Sequence, residues 1–156
     1  MNVLLSLVPV VVGGLIAIIA GLVGPYFIQR AKDATEKKRK RAEKFEELVG
    51  AVYEYDHWID TTRNIRIVSD DREITVSPIA KIRAISVTYF PEFERAVEEL
   101  QTAGLRYGMW MLQAGQKRLQ NEPEALAGHE EIAKVYVEKR QSLLTELRSF
   151  ARLEFQ

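Results

Sequence analysis

Arginine, lysine and aromatic side chains in the middle of the chain are the residues best suited to bind a ligand. Five basic residues surround a predicted turn, and four more candidates lie on the adjoining predicted helices; together they are His57, Arg63, Arg66, Arg72, Lys81, Arg83, Arg106, Tyr107 and Trp110. Guanidinium groups bind phosphate through paired hydrogen bonds, and aromatic rings stack on bases. If two helices meet at the turn, these residues form an anion or nucleotide site. The alternative is that the arginines are ordinary surface residues and that Trp58 and Trp110 belong to the core.

Residues suited to catalysis or metal binding are sparse. The chain has no cysteine, and neither of its two histidines, His57 and His129, has metal-ligand spacing to another ligand. No zinc-protease, phosphate-loop, dinucleotide or nucleophile-elbow motif occurs. Asp56, His57 and Asp60 form a local cluster, for which acid–base chemistry and a solvated helix face both remain open. The sequence predicts a protein that is not an enzyme and has no catalytic residue, metal or cofactor, although an enzyme acting at a membrane surface is a third hypothesis.

The first 29 residues contain no Asp, Glu, Lys or Arg, and residues 3–28 are almost entirely apolar. A helix of about 20 apolar residues crosses a hydrocarbon core of about 30 Å, and a lone span must be helical because lipid offers the backbone no hydrogen-bond partners. A cleaved signal peptide is the competing interpretation, but it needs a basic start, a shorter apolar run and a small-residue cleavage site. The sequence therefore predicts an uncleaved transmembrane anchor over residues 1–29.

A basic segment, residues 30–44, follows the predicted span and carries eight Lys or Arg against three Asp or Glu. The positive-inside rule then predicts a single-pass protein of the inner (plasma) membrane, with its N-terminus outside and its C-terminal domain in the cytoplasm. The densest run of charge is expected to contact lipid headgroups; it comprises Lys37, Lys38, Arg39, Lys40 and Arg41. A nucleic-acid patch is the alternative, which we disfavour because lipid phosphates are the nearest anions.

Small residues recur every four positions within the predicted span. Gly13, Ala17 and Gly21 form one series, and Ala20 with Gly24 forms a second. Such spacing lets two transmembrane helices approach closely, so that van der Waals packing drives their association. We therefore expect the span to self-associate and the protein to be a homo-oligomer. The general abundance of glycine and alanine in spanning helices is the alternative explanation.

Residues 45–156 are predicted to form a small cytoplasmic domain of the all-α class, an antiparallel bundle of about four helices. Apolar residues recur at helical spacing from Phe45 to about residue 68, and a turn follows over residues 69–71. Residues 72–76 are short and ambiguous between a strand fragment and an extended lead-in. The basic segment before this domain lacks Gly and Pro over residues 36–44, so the span is expected to continue into it as a helix.

Prolines and glycines divide the rest of the domain. Ser77 and Pro78 start the second helix, and Pro91 breaks or kinks it and begins a third that continues to about residue 119. Three glycines inside this third helix either weaken it or permit a close helix–helix approach; they are Gly104, Gly108 and Gly115. After a loop over residues 121–128, the last helix is predicted to begin near His129.

The chain thus consists of a predicted anchor (1–29), a basic juxtamembrane helix (30–44) and a cysteine-free helical domain (45–156). This layout resembles the small single-span membrane effectors of bacterial anti-phage defence, such as the transmembrane effectors of type III CRISPR systems that sense cyclic oligoadenylate. The resemblance lies in architecture alone. It implies that a cyclic oligonucleotide binds an oligomer of the domain and that the spans then rearrange and compromise the membrane.

Two hypotheses of different classes therefore stand beside each other. In the first, the protein is a ligand-gated membrane effector, with the arginine cluster as the phosphate-binding group. In the second, it is a bitopic scaffold or assembly subunit that docks a cytoplasmic protein partner through its amphipathic helices. Ligand binding and membrane damage would favour the first, whereas copurification with one stoichiometric partner would favour the second.

Overall fold

The computed structural model describes residues 3–67 and 76–155, with side chains from residue 29 onward except at position 31. Four α-helices and one short 3-10 helix make up this part of the chain: α1 (Val3–Ile67), α2 (Ile79–Tyr89), the 3-10 turn (Pro91–Phe93), α3 (Glu94–Leu119) and α4 (His129–Glu154). Within these described ranges there is no strand. The predicted all-helical class is therefore confirmed.

The chain divides into two compact units, residues 1–41 and 42–156. In the first unit, the side-chain amide of Gln29 donates a hydrogen bond of 3.0 Å to Asp33, one helical turn later. Residues 37–40 of the basic segment are exposed.

The predicted span lies outside the side chains that the structure describes. It covers residues 3–28. The small residues expected to mediate its self-association also lie outside the described side chains; they are Gly13, Ala17, Ala20, Gly21 and Gly24. Among the residues that are described, none of the helices is both long and apolar enough to cross a membrane. The span and its self-association therefore stay predictions.

Helix boundaries in the second unit fall close to those predicted. α1 and α3 end within one residue of the expected positions, and α4 begins at His129. Pro91 ends α2 and starts the 3-10 turn because its ring removes a backbone donor and prevents the preceding helix from continuing. α2 begins at Ile79, one residue later than expected, and its first N–H donates to the Ser77 hydroxyl at 3.4 Å. Of the ambiguous segment, only Val76 is described, and it belongs to no helix or strand.

Pairs of neighbouring residues give the direction of each helix in the second unit. For α1 and α2 the pairs are Phe45–Phe90 and Glu54–Lys81. For α1 and α3 they are Tyr55–Gly104 and Arg66–Gly115. For α3, with the 3-10 turn before it, and α4 they are Phe93–Phe150 and Tyr107–His129. Helices that follow one another in the chain are therefore antiparallel, whereas α1 and α3 run parallel. This arrangement is an up-down-up-down bundle of the kind the sequence predicted.

The core of the second unit draws on all four helices. The largest fully buried apolar side chains are Leu48, Val52, Ile59, Ile82, Phe90, Val97, Leu100, Met111, Leu143 and Leu147. Burying one such side chain stabilises the fold by roughly 1.5–3 kcal/mol relative to leaving it in water. Their spacing at period 3.6 is what the sequence pattern identified, so the apolar faces predicted for the helices are the faces that pack together.

Candidate functional site

The aromatic residues predicted on the third helix pack at the junction of α3 and α4. Tyr107 is buried, and its hydroxyl lies 3.1 Å from the Nε2 atom of His129. The half-buried Trp110 donates its indole N–H to the carbonyl oxygen of Ala127 at 2.9 Å, and its ring centre lies 5.0 Å from that of His129. Gly128, at a φ of 78°, makes the turn into α4. These rings therefore fasten the loop before α4 to α3.

Two of the predicted anion-binding cations already have acidic partners. The Arg63 guanidinium lies 3.2 Å from the Asp60 carboxylate on α1. The Lys81 ammonium on α2 lies 3.8 Å from Glu47 and 3.6 Å from Glu54. These pairs are largely exposed, so each contributes little to stability, but they offset the positive charge that a phosphate would need.

The remaining predicted site residues are dispersed over the second unit. His57 is exposed on α1, Arg83 is exposed on α2, and Arg106 is exposed on α3. Arg106 borders a depression of about 370 Å³ on the α4 side, together with Trp110. Arg72 lies outside the described residues. The structure therefore does not bring the predicted cluster together at one place, because successive residues of a helix point in different directions around its axis.

The cluster of Asp56, His57 and Asp60 also separates. Asp56 forms an ion pair with Arg140 of α4 and accepts a hydrogen bond of 3.3 Å from the Tyr136 hydroxyl. This hydrogen-bonded pairing raises the pKa of Arg140, and burial followed by the Asp56 charge raises the pKa of Tyr136. Asp56 is thus engaged in joining α1 to α4, while His57 faces solvent.

A largely apolar groove lies between α1 and α3 in the second unit. Its volume is about 360 Å³. It is lined by Tyr55, Trp58, Thr62, Arg66, Ser77, Ile79, Gln101, Gly104, Leu105, Gly108, Met109 and Leu112. Small-molecule sites in proteins occupy about 300–1,000 Å³ and combine apolar walls with a few polar groups, which is the composition found in this groove.

Glycines on α3 determine how closely it approaches α1. A Cβ atom added at Gly104 would overlap the Tyr55 hydroxyl, and one added at Gly115 would lie 2.5 Å from the backbone oxygen of Arg66. A Cβ added at Gly108, which lines the groove, would meet nothing described within 4 Å. Close approach at Gly104 and Gly115 confirms one of the two roles expected for these glycines, and Gly108 marks open space between them.

Arg66 is the one charged residue among the described residues that line the groove. Its Nε atom is shielded from water and has no hydrogen-bond partner among those residues. A shielded N–H without a partner is unfavourable, and a charged donor is more so. Among the described cations that the sequence predicted to bind an anion, Arg66 is the one that lines this groove.

Three apolar side chains of the groove remain open to water. Leu105 and Met109 are each 61% exposed and Leu112 is 44% exposed, while Trp58 stacks on Tyr55 with ring centres 5.8 Å apart. The sequence prediction did not include these residues in the site. The signal that could have found them is their spacing of four and then three residues, which places a second apolar stripe on α3 beside its core-facing one.

The described residues include no group of three His, Cys, Asp or Glu side chains that could hold a metal ion. Comparison with known proteins identifies no matching family model, no matching curated protein and no matching solved structure. The groove and its lining residues are therefore the basis on which a function can be argued.

Proposed function

We propose that this chain is an oligomeric, membrane-anchored effector whose helical domain binds a signal molecule in the α1–α3 groove and alters the membrane through its span. The observation that carries this proposal is the groove itself, an apolar cavity of about 360 Å³ with one guanidinium in its lining. We interpret this groove as the site for a signal molecule, so the proposal is of a ligand-responsive protein.

The anchor is the second part of the proposal. Residues 3–28 are apolar and are followed by eight basic residues within 30–44, which favours insertion with the N-terminus outside and the domain in the cytoplasm. The exposed basic residues 37–40 would contact anionic lipid headgroups of the inner membrane. Small residues at positions 13, 17 and 21 favour contact between spans of different copies.

The connection between the groove and the span is helix α1. Tyr55, Trp58, Thr62 and Arg66 of α1 line the groove, and α1 begins at Val3, within the predicted anchor. A ligand changes a protein only by binding one of its arrangements more tightly than another. Contacts to α1 and α3 at once give the signal a means of favouring one packing of these helices.

A cyclic oligonucleotide is the signal that the resemblance to anti-phage effectors implies. Its bases would stack on Trp58 and its phosphate would pair with Arg66. The other cations predicted for such a ligand lie elsewhere, and Arg63 and Lys81 lie beside carboxylates. Of the described cations predicted for such a ligand, the groove therefore offers Arg66.

The experiment that tests this function compares the full chain with a variant whose spans cannot pack closely. Bacteria are induced to produce either the unaltered chain or the Gly13→Leu/Gly21→Leu variant, and dye uptake and crosslinked oligomers are measured. We expect the unaltered chain to form oligomers and to permeabilise the membrane, and the variant to lose both properties. Gly14→Leu is the matched control, because it adds the same bulk outside the four-residue series.

A membrane that stays intact with the unaltered chain, both with and without candidate signals, would contradict the effector function. Membrane fractionation of each variant excludes failed insertion as the cause. Permeabilisation that persists in the Gly13→Leu/Gly21→Leu variant would instead remove the role assigned to span packing.

The exposed apolar stripe on α3 favours a second candidate function, a bitopic scaffold that docks a cytoplasmic protein partner. Leu105, Met109, Leu112 and the 66% exposed Leu119 share one face of this helix, as residues do in helix-in-groove contacts. This function predicts copurification with one stoichiometric partner, which Met109→Glu would abolish. A signal response without such a partner would argue against it.

A further inference from the structure

The apolar residues that line the α1–α3 groove favour a ligand with an apolar body. The side chains of Leu105 and Met109 are more than half exposed, and the stacked Tyr55–Trp58 pair contributes aromatic surface from α1. Exposed apolar side chains gathered in one concavity mark interaction sites in soluble domains, since covering them removes apolar surface from water. The body of the ligand is therefore hydrocarbon or aromatic in character.

The one cation among the described lining residues, Arg66, favours an acidic group on the same ligand. Arg66 is half-buried and lines the groove, so its guanidinium is the positive group that a bound ligand would meet there. A carboxylate, sulfonate or phosphodiester oxygen would pair with this guanidinium through charge-assisted hydrogen bonds. Thr62, Ser77 and Gln101 supply neutral polar groups in the lining.

The charges of the described residues favour a ligand with one anionic group. Arg63 lies against Asp60, and Lys81 lies between Glu47 and Glu54, so neither adds a free cation to the groove. A ligand with several phosphates would need several cations to replace its counterions. We infer that the groove binds a small apolar monoanion, with its acidic group on Arg66 and its body against the apolar residues of α3.

This inference deepens the proposed function and rests on it, since the monoanion is taken to be the signal that the effector receives. It also distinguishes this chain from the effectors it resembles in layout, whose signal carries one phosphate for each nucleotide. The acidic group can belong to a soluble metabolite or to a membrane lipid, because a guanidinium recognises the same oxygen atoms in both cases.

Titration calorimetry on the full chain in phosphatidylcholine nanodiscs tests the inference. The probes are naphthalene-2-carboxylate, its neutral counterpart 2-naphthylmethanol, and cyclic tetraadenylate as a ligand with four phosphates, with empty nanodiscs as the blank. We expect the carboxylate to bind with a Kd at least about tenfold lower than that of the alcohol, as one charge-assisted hydrogen bond requires. Cyclic tetraadenylate should bind more weakly than the carboxylate.

Three variants connect binding to the groove. Arg66→Gln should abolish the preference for the carboxylate over the alcohol, whereas Arg83→Gln, on the exposed surface of α2, should leave it unchanged. Gly108→Leu should weaken both naphthyl ligands because its side chain enters open space in the groove. Helix content and a melting temperature no lower than those of the unaltered chain show that the loss comes from blocking and not from unfolding.

Equal binding of the alcohol and the carboxylate, or a preference that survives Arg66→Gln, would overturn the inference. Tighter binding of cyclic tetraadenylate that depends on Arg66 would overturn it in favour of a nucleotide site. Nanodiscs that contain phosphatidylglycerol distinguish the two sources: competition with the carboxylate identifies a lipid, and unchanged affinity identifies a soluble ligand, and both results support the monoanion.

Failure of this inference is distinguishable from failure of the proposed function. Naphthalene-2-carboxylate binding that depends on Arg66, without any change in membrane permeability, supports the monoanion site and contradicts the effector. Permeabilisation that responds to a signal but is indifferent to Arg66→Gln and Gly108→Leu supports the effector and overturns the assignment of the groove.

Discussion

Helix α1 makes two contacts of opposite kind, one with α4 and one with α3. Against α4 it presents side chains that interlock: Tyr55 and Tyr136 lie edge to face with centres 6.3 Å apart, and Asp56 pairs with Arg140. Against α3 it meets positions without side chains, since Gly104 and Gly115 leave no room for a Cβ atom. The first contact depends on filled space and the second depends on the absence of atoms.

The difference shows how one bundle can be both stable and open. The side chains that α1 packs against α4 contribute buried contacts, so the fold does not require the space between α1 and α3 to be filled along its whole length. Between the two glycine contacts, at Gly108, an added Cβ meets nothing described within 4 Å, and the groove lies there. Substitutions should therefore have opposite effects on the two sides: loss of atoms is costly near α4, and addition of atoms is costly at the glycine contacts.

The largest effect is expected from removing atoms on the α4 side. Leu143 of α4 is fully buried, and Leu143→Ala should lower the free energy of unfolding by about 2–5 kcal/mol, because a cavity is left where the side chain packed. Chemical denaturation of the full chain in detergent, followed by tryptophan fluorescence, measures this change. Leu153→Ala is the control, since Leu153 is 87% exposed and its loss should be nearly neutral. Equal losses for both would mean that the α4 side is not the filled one.

Adding atoms at the glycine contact should have the next largest effect. Gly104→Ala forces the buried Tyr55 ring to move and should cost about 1–3 kcal/mol of stability, as overpacking of a core does. Tyr55→Phe removes the hydroxyl that obstructs the new methyl group, so the double variant should recover part of this loss in the same denaturation experiment. Gly50→Ala is the control, because its Cβ would meet nothing described within 4 Å. Strictly additive losses in the double variant would contradict the close contact.

Alkaline pH should destabilise the fold at Tyr55, which contacts both α4 and α3. Burial raises the pKa of Tyr55 to about 12, whereas an unfolded tyrosine ionises near pH 10. The stabilising contribution of Tyr55 is therefore fully present below pH 10 and is lost as the pH rises from 10 to 12, at about 1.4 kcal/mol per pH unit. In denaturation experiments between pH 9 and pH 11, the free energy of unfolding should fall less in Tyr55→Phe than in the unaltered chain. Tyr53→Phe, at a side chain that is 51% exposed, should keep the original slope, and equal slopes in all three chains would refute the effect.

The helices were predictable from sequence because their determinants are local. Apolar spacing gave the core faces of all four helices, and Pro91 and His129 marked boundaries that the structure confirms. A proline acts on the residues beside it, and a periodic pattern records which face is buried. Such features do not depend on how distant parts of the chain pack.

The groove was not predictable because it depends on which apolar faces stay uncovered. Leu105, Met109 and Leu112 look like further core residues in sequence, and only the packing of α1, α2 and α3 leaves them open. Likewise, Arg63 and Arg66 are equivalent in sequence, but Arg63 lies beside Asp60 and Arg66 lines the groove. Pairing and exposure are tertiary properties, and composition does not record them.

The smallest expected effect also separates the two contacts most clearly. Gly108→Ala adds a methyl group to a helix interior where nothing described obstructs it, so it should raise the free energy of unfolding by roughly 0.5–1 kcal/mol. The same change at Gly104 should lower stability, although both glycines line the groove on α3. A loss at Gly108 would show that the space there is already occupied in the folded chain. A gain would show that glycine is retained at this position at the expense of helix stability, as expected where the groove must stay open for a ligand.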